Sequence, residues 1–234
     1  MYHSITIGNK HTYKDFGLIP TSRPVVNPPS PNFSYLEIPG VSGSLDLSEA
    51  VSGNITYADR TGSFEFYVRP GRDWSEVYDS ILSFLHGQRL AVTLEDDPTH
   101  FYVGRVSVNQ WKSDKNHSFI ELDYQLRPFK YEMTTIKSVP WSVGNATEHM
   151  GYRMVSVSVT TTLSTSITVG GTMPIVPILW VTSLSGSLTL TVNSKTYTLT
   201  SGKNRIPELS IQKETSLFFK GKANIGIYTR RGWL

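Results

Sequence analysis

Trp74, Val77, Tyr78, Ile81, Leu82 and Leu85 recur at i, i+3, i+4, i+7, i+8 and i+11, the 3.6-residue stripe of an amphipathic helix. The spacing predicts a helix over residues 73–86. Asp73 suits the N-cap, Glu76 three residues on completes a capping box, and Gly87 stands at the left-handed position after the end. The stripe should face a core, with Ile81, Leu82 and Leu85 inward. Elsewhere the period is two. Ile55 and Tyr57, then Phe64, Phe66 and Val68, alternate on either side of the polar Asp59-Arg60-Thr61-Gly62, which reads as a hairpin with that segment as its turn. An earlier turn is expected at Gly40-Val41-Ser42-Gly43. After the helix, residues 89–94, 101–111 and 118–126 form a predicted three-strand meander, broken by the acidic Glu95-Asp96-Asp97-Pro98 and a polar turn at 112–116.

Beyond about residue 133 the texture changes to Ser/Thr-rich alternation: Val155, Val157, Val159; Leu188, Leu190, Val192; Tyr197, Leu199; Ile225, Ile227. Short strands at that spacing suggest a jelly-roll-like sandwich. Trp180, inside an apolar run at 175–181, is expected in the core. Charge shifts at the same place. Residues 1–132 hold 12 Lys or Arg against 16 Asp or Glu, net −4, whereas residues 133–234 hold 10 basic residues against Glu148, Glu208 and Glu214, net +7. Two domains are therefore expected, 1–132 and 133–234: a β-sandwich or split barrel with one α-helix, then a second β-sandwich. Pro20, Pro24, Pro28, Pro29 and Pro31 make residues 20–32 an extended segment. It is either a loop packed on its own domain or an arm laid over a neighbour.

The 234-residue chain contains no cysteine, so disulfides, thiolate chemistry and Cys-ligated zinc are excluded. Neither a signal-peptide pattern nor a spanning apolar stretch is visible, so the expectation is a soluble protein made in the cytosol. No nucleophile elbow, phosphate loop, dinucleotide fingerprint or zinc-protease motif occurs. His3, His11, His86, His100, His117 and His149 lack ligand spacing. The second domain's three carboxylates supply a two-carboxylate glycosidase or a calcium site poorly. Sequons at Asn32, Asn54, Asn116 and Asn145 predict no glycan without secretion. No cofactor or metal is implied. Glu95, Asp96 and Asp97 can solvate a hairpin end, hold a cation or line a channel, with solvation first. Asp59 and Arg60 can form an exposed turn pair or an intersubunit contact.

The segment Pro39-Gly40-Val41-Ser42-Gly43-Ser44-Leu45-Asp46-Leu47, followed by Tyr57-Ala58-Asp59-Arg60, resembles the distal tail protein family of long-tailed bacteriophages. Lys14-Asp15-Phe16-Gly17-Leu18-Ile19-Pro20 is similar to that family's opening segment. Arg127-Pro128-Phe129-Lys130-Tyr131 is similar to the close of its first domain, and Tyr228-Thr229-Arg230-Arg231-Gly232-Trp233-Leu234 to its final strand. The resemblance implies a virion structural protein, not an enzyme. It would form a homo-hexameric hub ring between the tail tube and the tip or baseplate, with tail-tip and receptor-binding proteins as neighbours.

On that reading the first domain is tube-like and ring-forming, and the second is a peripheral jelly-roll or galectin-like domain, with the last strand able to return to the first. Asp59, Arg60, Glu95, Asp96 and Asp97 are then ring-interface or lumen candidates, and DNA passes through the lumen without specific binding. The alternative is a carbohydrate-binding β-sandwich for host-surface recognition. It would need an exposed aromatic platform, for which Trp141, Trp180 and Trp233 are the candidates.

Overall fold

Alternating apolar residues build about half of this chain into strands, and one amphipathic stripe builds its longer helix. The structure, a computed structural model, describes residues 3–50, 52–113, 118–134, 136, 139–141 and 150–234. Asn116, His117, Asn145, Glu148 and His149 lie outside the described residues. The chain divides into two compact units, Met1–Lys130 with Leu234, and Tyr131–Trp233.

In the first unit the chain runs β1 (Ile5–Ile7), β2 (Lys10–His11), α1 (Thr12–Phe16), β3 (Leu18–Pro20), β4 (Pro31–Asn32), β5 (Tyr35–Glu37), β6 (Ser44–Asp46) and β7 (Thr56–Tyr57). It continues through β8 (Arg60–Val68), α2 (Trp74–Leu85), β9 (Gln88–Leu94), β10 (His100–Ser113) and β11 (Ser118–Leu126). An antiparallel sheet has the order β2-β1-β9-β10-β11-β8-β3. The expected meander is its centre, β9-β10-β11, with a register shift between Val108 and Gln110. Phe64, Phe66 and Val68 of β8 point into the core together, as their alternation requires.

Helix α2 starts where the sequence says it should. The Asp73 side chain accepts from the Ser75 and Glu76 backbone N–H groups at 2.8 and 3.3 Å, and Gly87 has φ +70°. Val77, Ile81 and Leu85 are its buried residues, joining Ile5, Ile7, Phe16, Leu18, Phe64, Phe66, Ile120 and Leu122 in one core. Leu82 is only half-buried, so the inward face is narrower than the stripe. Helix α1 was not expected. Its N-cap is His11, whose Nδ1 accepts from the Tyr13 and Lys14 N–H groups at 3.2 Å each. Histidine is not a usual capping residue, so the sequence carried a weak start signal.

The hairpin expected across Asp59-Arg60-Thr61-Gly62 does not form. Residues 60–68 are one continuous strand, β8, which pairs with β11 and β3. Strand β7 pairs instead with β4, as Pro31↔Tyr57 and Asn32↔Thr56. A buried Arg60 holds the supposed turn extended.

In the second unit the strands are β12 (Lys130–Glu132), at the boundary, then β13 (Tyr152–Val159), β14 (Thr162–Ile167), β15 (Ile178–Val192), β16 (Lys195–Leu199), β17 (Gly202–Arg205), β18 (Thr215–Arg230) and β19 (Gly232–Trp233). β12 pairs with β19, and the others form a six-stranded antiparallel sheet of β-sandwich type. β15 and β18 carry it, each longer than the short strands expected. β18 pairs with β13 along its second half, with β14 along its first, and with β15 from Phe218 to Tyr228. Leu188, Leu190, Leu217, Phe219, Ile225 and Ile227 sit in its core.

Candidate assembly surface

Between β3 and β8 the chain leaves the first unit's sheet and returns, and residues 31–57 form an arm. Its foot is the β4–β7 pair, reinforced by Asn32 Nδ2 donating to Thr56 Oγ1 at 3.2 Å and Ala58 N–H donating to Ser30 O at 2.9 Å. Its blade is the β5–β6 hairpin, in which Tyr35 faces Asp46, Leu36 faces Leu45 and Glu37 faces Ser44. The turn is the expected one: Val41 N–H donates to Ile38 O at 3.1 Å, and Gly40 and Gly43 have φ +83° and +86°.

The Leu-Asp-Leu-Ser stretch fixes how the blade joins the foot. Asp46 accepts from both the backbone N–H and the hydroxyl of Ser48, at 2.9 and 2.5 Å. Those bonds, the hydroxyl's first, hold the carboxylate below its ordinary pKa. Ser48 Oγ in turn accepts from Ser34 N–H at 2.9 Å, and Leu47 N–H donates to Ser34 O at 2.8 Å.

What the arm presents is apolar. Phe33, Tyr35, Leu36, Ile38, Val41, Leu45 and Leu47 are all exposed, from 36% at Leu47 to 60% at Val41. Every residue of β5 and β6 is exposed, so neither face of the hairpin covers a core. A two-stranded hairpin is marginal alone in water, and large apolar side chains left exposed on both faces of such a hairpin mark an interaction surface.

Behind the arm's foot lies a buried anchor. Arg60 is 4% exposed. Its Nε donates to Pro128 O and its Nη1 to Asn27 O, both at 2.8 Å, and its guanidinium carbon sits 5.4 Å from the centre of the Tyr102 ring. Desolvation lowers its pKa, opposed by Tyr102 and Tyr124. Asn27 N–H donates to Tyr124 Oη at 3.0 Å, and Asn27 Nδ2 to Thr61 O at 2.9 Å. Gly62 completes the packing, because a Cβ there would lie 2.5 Å from Tyr124 Oη. The proline-rich segment is thereby pinned to its own unit at Asn27. Arg60 is a fastener, and the exposed Asp59–Arg60 pair expected of a turn is absent. Asp59 instead accepts from Gln125 Nε2 at 3.0 Å.

The acidic tip is charged but not free. Glu95 accepts from Ser4 N–H at 2.8 Å. Asp96 meets His3 Nδ1 and accepts from Arg23 Nε, both at 2.7 Å, and those two bonds, His3's first, keep its pKa low. Asp97 lies 2.6 Å from Lys130 Nζ and 2.8 Å from His100 Nδ1. Desolvation is the largest influence on Asp97 and pushes it up. The Lys130 and His100 bonds, the Lys130 charge and the Thr99 hydroxyl outweigh it and bring the carboxyl down to about 2. Among the described residues no three His, Cys, Asp or Glu side chains gather as metal ligands.

In the second unit two of the aromatic candidates, Trp141 and Trp180, pack in one cluster. Trp141 meets Tyr228 edge-on at 4.7 Å and Tyr152 at 5.7 Å, and lies 6.1 Å from Trp180. With Val139 and Ile178 they form a small second core. Trp141, Trp180 and Trp233 are each half-buried, so Trp180 is less enclosed than expected. Among the described residues they do not form the open stacking surface that a neutral-sugar binder needs.

No protein-family model matches the chain, and no curated protein matches it. Among solved structures it is similar to the Dit protein (gp 19.1) of phage SPP1, described as a paradigm of the hub adsorption apparatus in phages infecting Gram-positive bacteria. The identity is 14%, each chain is covered in full, and the TM-score is 0.59. The likeness is one of fold, and it spans both units.

Proposed function

We propose that this chain is a non-catalytic structural subunit of a phage tail, assembling through its first unit into a hexameric hub ring at the distal end. The observation that carries the reading is the arm: seven exposed apolar residues on and beside a hairpin that covers no core among the described residues. The full-length likeness of fold to a hub protein supports it. Closing a ring needs head-to-tail contacts between two different surfaces of each copy, and a projecting arm supplies one of them. In this arrangement the first unit is the tube-like part, joined to the tail tube above and the tip proteins below. The second is a peripheral galectin-like or jelly-roll lobe near the receptor-binding machinery.

The first part's net charge of −4 suits a lumen through which DNA passes unretained, since a basic wall would hold the phosphate backbone. The tip carboxylates Glu95, Asp96 and Asp97 serve that lumen or a ring contact while tied to His3, Arg23, His100 and Lys130. Asp59 at the arm's foot belongs to the contact region, which Arg60 stiffens from within.

Native mass spectrometry over a range of concentrations tests the proposal. The chain should grow toward a six-fold species, and Leu36→Ser with Leu45→Ser should leave it monomeric with an unchanged melting temperature. A wild-type chain that stays monomeric, or a variant that assembles as well as wild type, would refute it.

A further inference from the structure

On the second unit, where β18 changes partner, strands β13 and β14 part and β15 bulges outward. The register of β15 against β18 shifts twice, between Thr182 and Ser185 and between Ser185 and Thr189. Ser183 and Gly186 take left-handed backbone, with φ +52° and +75°. At Gly221 the backbones close up: its N–H donates to Thr161 O at 2.8 Å, and a Cβ there would lie 2.4 Å from Ser187 O. These distortions open a surface concavity of about 560 Å³ lined by Thr160, Thr161, Ser185, Ser187, Lys220 and Lys222, among others.

Its chemistry is one-sided. Hydroxyls and two ammonium groups line it, with no aromatic ring and no carboxylate. Lys220 and Lys222 stand two residues apart on the exposed face of β18, about 6.6 Å along the strand. No ion pair engages either lysine among the described residues, and the chain from residue 133 onward is net +7.

We propose that this concavity binds a phosphate-bearing polyol polymer, the ammonium groups taking the phosphodiester charge and the hydroxyls of Thr160, Thr161, Ser185 and Ser187 pairing with the polyol. Each omission from the lining narrows the ligand. Neutral sugars are held largely by stacking on aromatic faces, and single-stranded nucleic acid by aromatic platforms beside basic grooves. The lining offers neither. Charge-assisted bonds to phosphate oxygens need only the two lysines, and the hydroxyls, which both donate and accept, match a ligand that does the same. The site stands on a different unit from the arm and does not depend on ring formation.

Calorimetric titration of the full chain at low salt tests it, with a synthetic glycerol-phosphate oligomer as probe and dextran, inorganic phosphate and a thymidine oligonucleotide as comparisons. The glycerol-phosphate oligomer should bind, and bind more tightly than any comparison. Lys220→Gln with Lys222→Gln should weaken it about tenfold or more, the loss expected for charged hydrogen bonds. Thr160→Ala with Ser187→Ala should weaken the oligomer and leave inorganic phosphate unchanged. Equal affinity for the oligonucleotide would mean a generic basic patch, and equal affinity for dextran a neutral-sugar site. Either result overturns the proposal, as does full binding by the lysine variant or no binding by the wild type. Melting temperatures of both variants, whose altered side chains are exposed, check that the fold is kept.

Discussion

Replacing Arg60 asks whether a charged side chain can be a structural fastener in the first unit. The guanidinium makes two hydrogen bonds, to Pro128 O and Asn27 O, both at 2.8 Å, while burial opposes its charge. Arg60→Ala removes both donors and the aliphatic stem, leaving two carbonyls to find other partners in a packed site. An orphaned buried polar group costs about 1–3 kcal/mol, so two orphaned carbonyls cost about 2–6 kcal/mol in total. A loss near the upper end is expected for alanine. Arg60→Met keeps the stem's packing and relieves the desolvated charge, so its cost should be smaller, about 1–3 kcal/mol. Arg60→Lys keeps the charge but cannot bridge two carbonyls from a planar fork, and should fall between them.

Urea unfolding reads these differences as midpoint shifts at constant slope, and hydrogen exchange at Asn27 N–H, which donates to Tyr124 Oη, reports the node directly. The order Ala, Lys, Met in decreasing cost, with faster exchange at Asn27, is the expected result. An alanine variant within about 0.5 kcal/mol of wild type, the range of ordinary surface substitutions, would refute the fastening role. If that same variant also failed to assemble, Arg60 would instead belong to an intersubunit contact.

Two further perturbations test the first unit. Ile81→Ala should cost about 2–5 kcal/mol in denaturant unfolding because Ile81 is fully buried in the core, whereas half-buried Leu82 should cost clearly less when changed to alanine; equal costs would contradict the narrow inward face of α2. The Asp97 carboxyl sits at about 2 in the fold against 3.8 when unperturbed, so its contribution is complete above about pH 4 and is lost as pH falls through 2. Discounted for a side chain 32% exposed, that contribution is about 1–2 kcal/mol. Asp97→Asn should flatten the stability profile between pH 4 and 2 by that amount, and an unchanged profile would show the Lys130 pair to be idle.

Local rules carried well where one period and one cap acted together. The span of helix α2 was legible because its stripe, Asp73 and Gly87 agree, though not how narrow its buried face is, and the β9-β10-β11 meander because polar turns separate its apolar runs. The failures share a cause in long-range contacts. Asp59-Arg60-Thr61-Gly62 has turn composition, yet Arg60 finds carbonyl partners 33 and 68 residues away and the segment stays extended. The long strands of the second unit read as several short ones because bulges break the alternation. In β15 the residues of the unit's main core are odd-numbered at Leu179 and Val181 and even-numbered at Leu188, Leu190 and Val192, a switch of phase that the two register shifts impose. The compensation of the acidic tip was equally invisible, since His3, Arg23 and Lys130 reach it from distant parts of the chain. The arm's apolar sequence was plain, but an exposed hairpin and a buried one alternate alike, and only the fold shows its side chains exposed among the described residues.

That exposure sets a test of how copies join, beyond whether they do. In a head-to-tail ring each copy gives an arm to one neighbour and a receiving surface to the other. A chain in which residues 35–46 are replaced by an Asn-Gly turn removes β5 and β6 but keeps the β4–β7 foot and the Arg60 node. On the hexameric ring proposed above, such a copy can still receive an arm but cannot offer one, so at substoichiometric amounts it should terminate growing assemblies and populate species smaller than six. If two arms instead paired with each other across a two-fold axis, armless copies would be left out and the wild-type assemblies would keep their size. Burying seven half-exposed side chains is worth on the order of 5–10 kcal/mol gross, and association costs of about 4–15 kcal/mol oppose it. One arm contact alone is therefore weak, and closure, which gives every copy two contacts, is what makes a ring outlast its fragments. Dissociation should accordingly be steep in concentration for wild type and gradual for the mixed assemblies, and mass distributions of titrated mixtures would separate the two modes of joining.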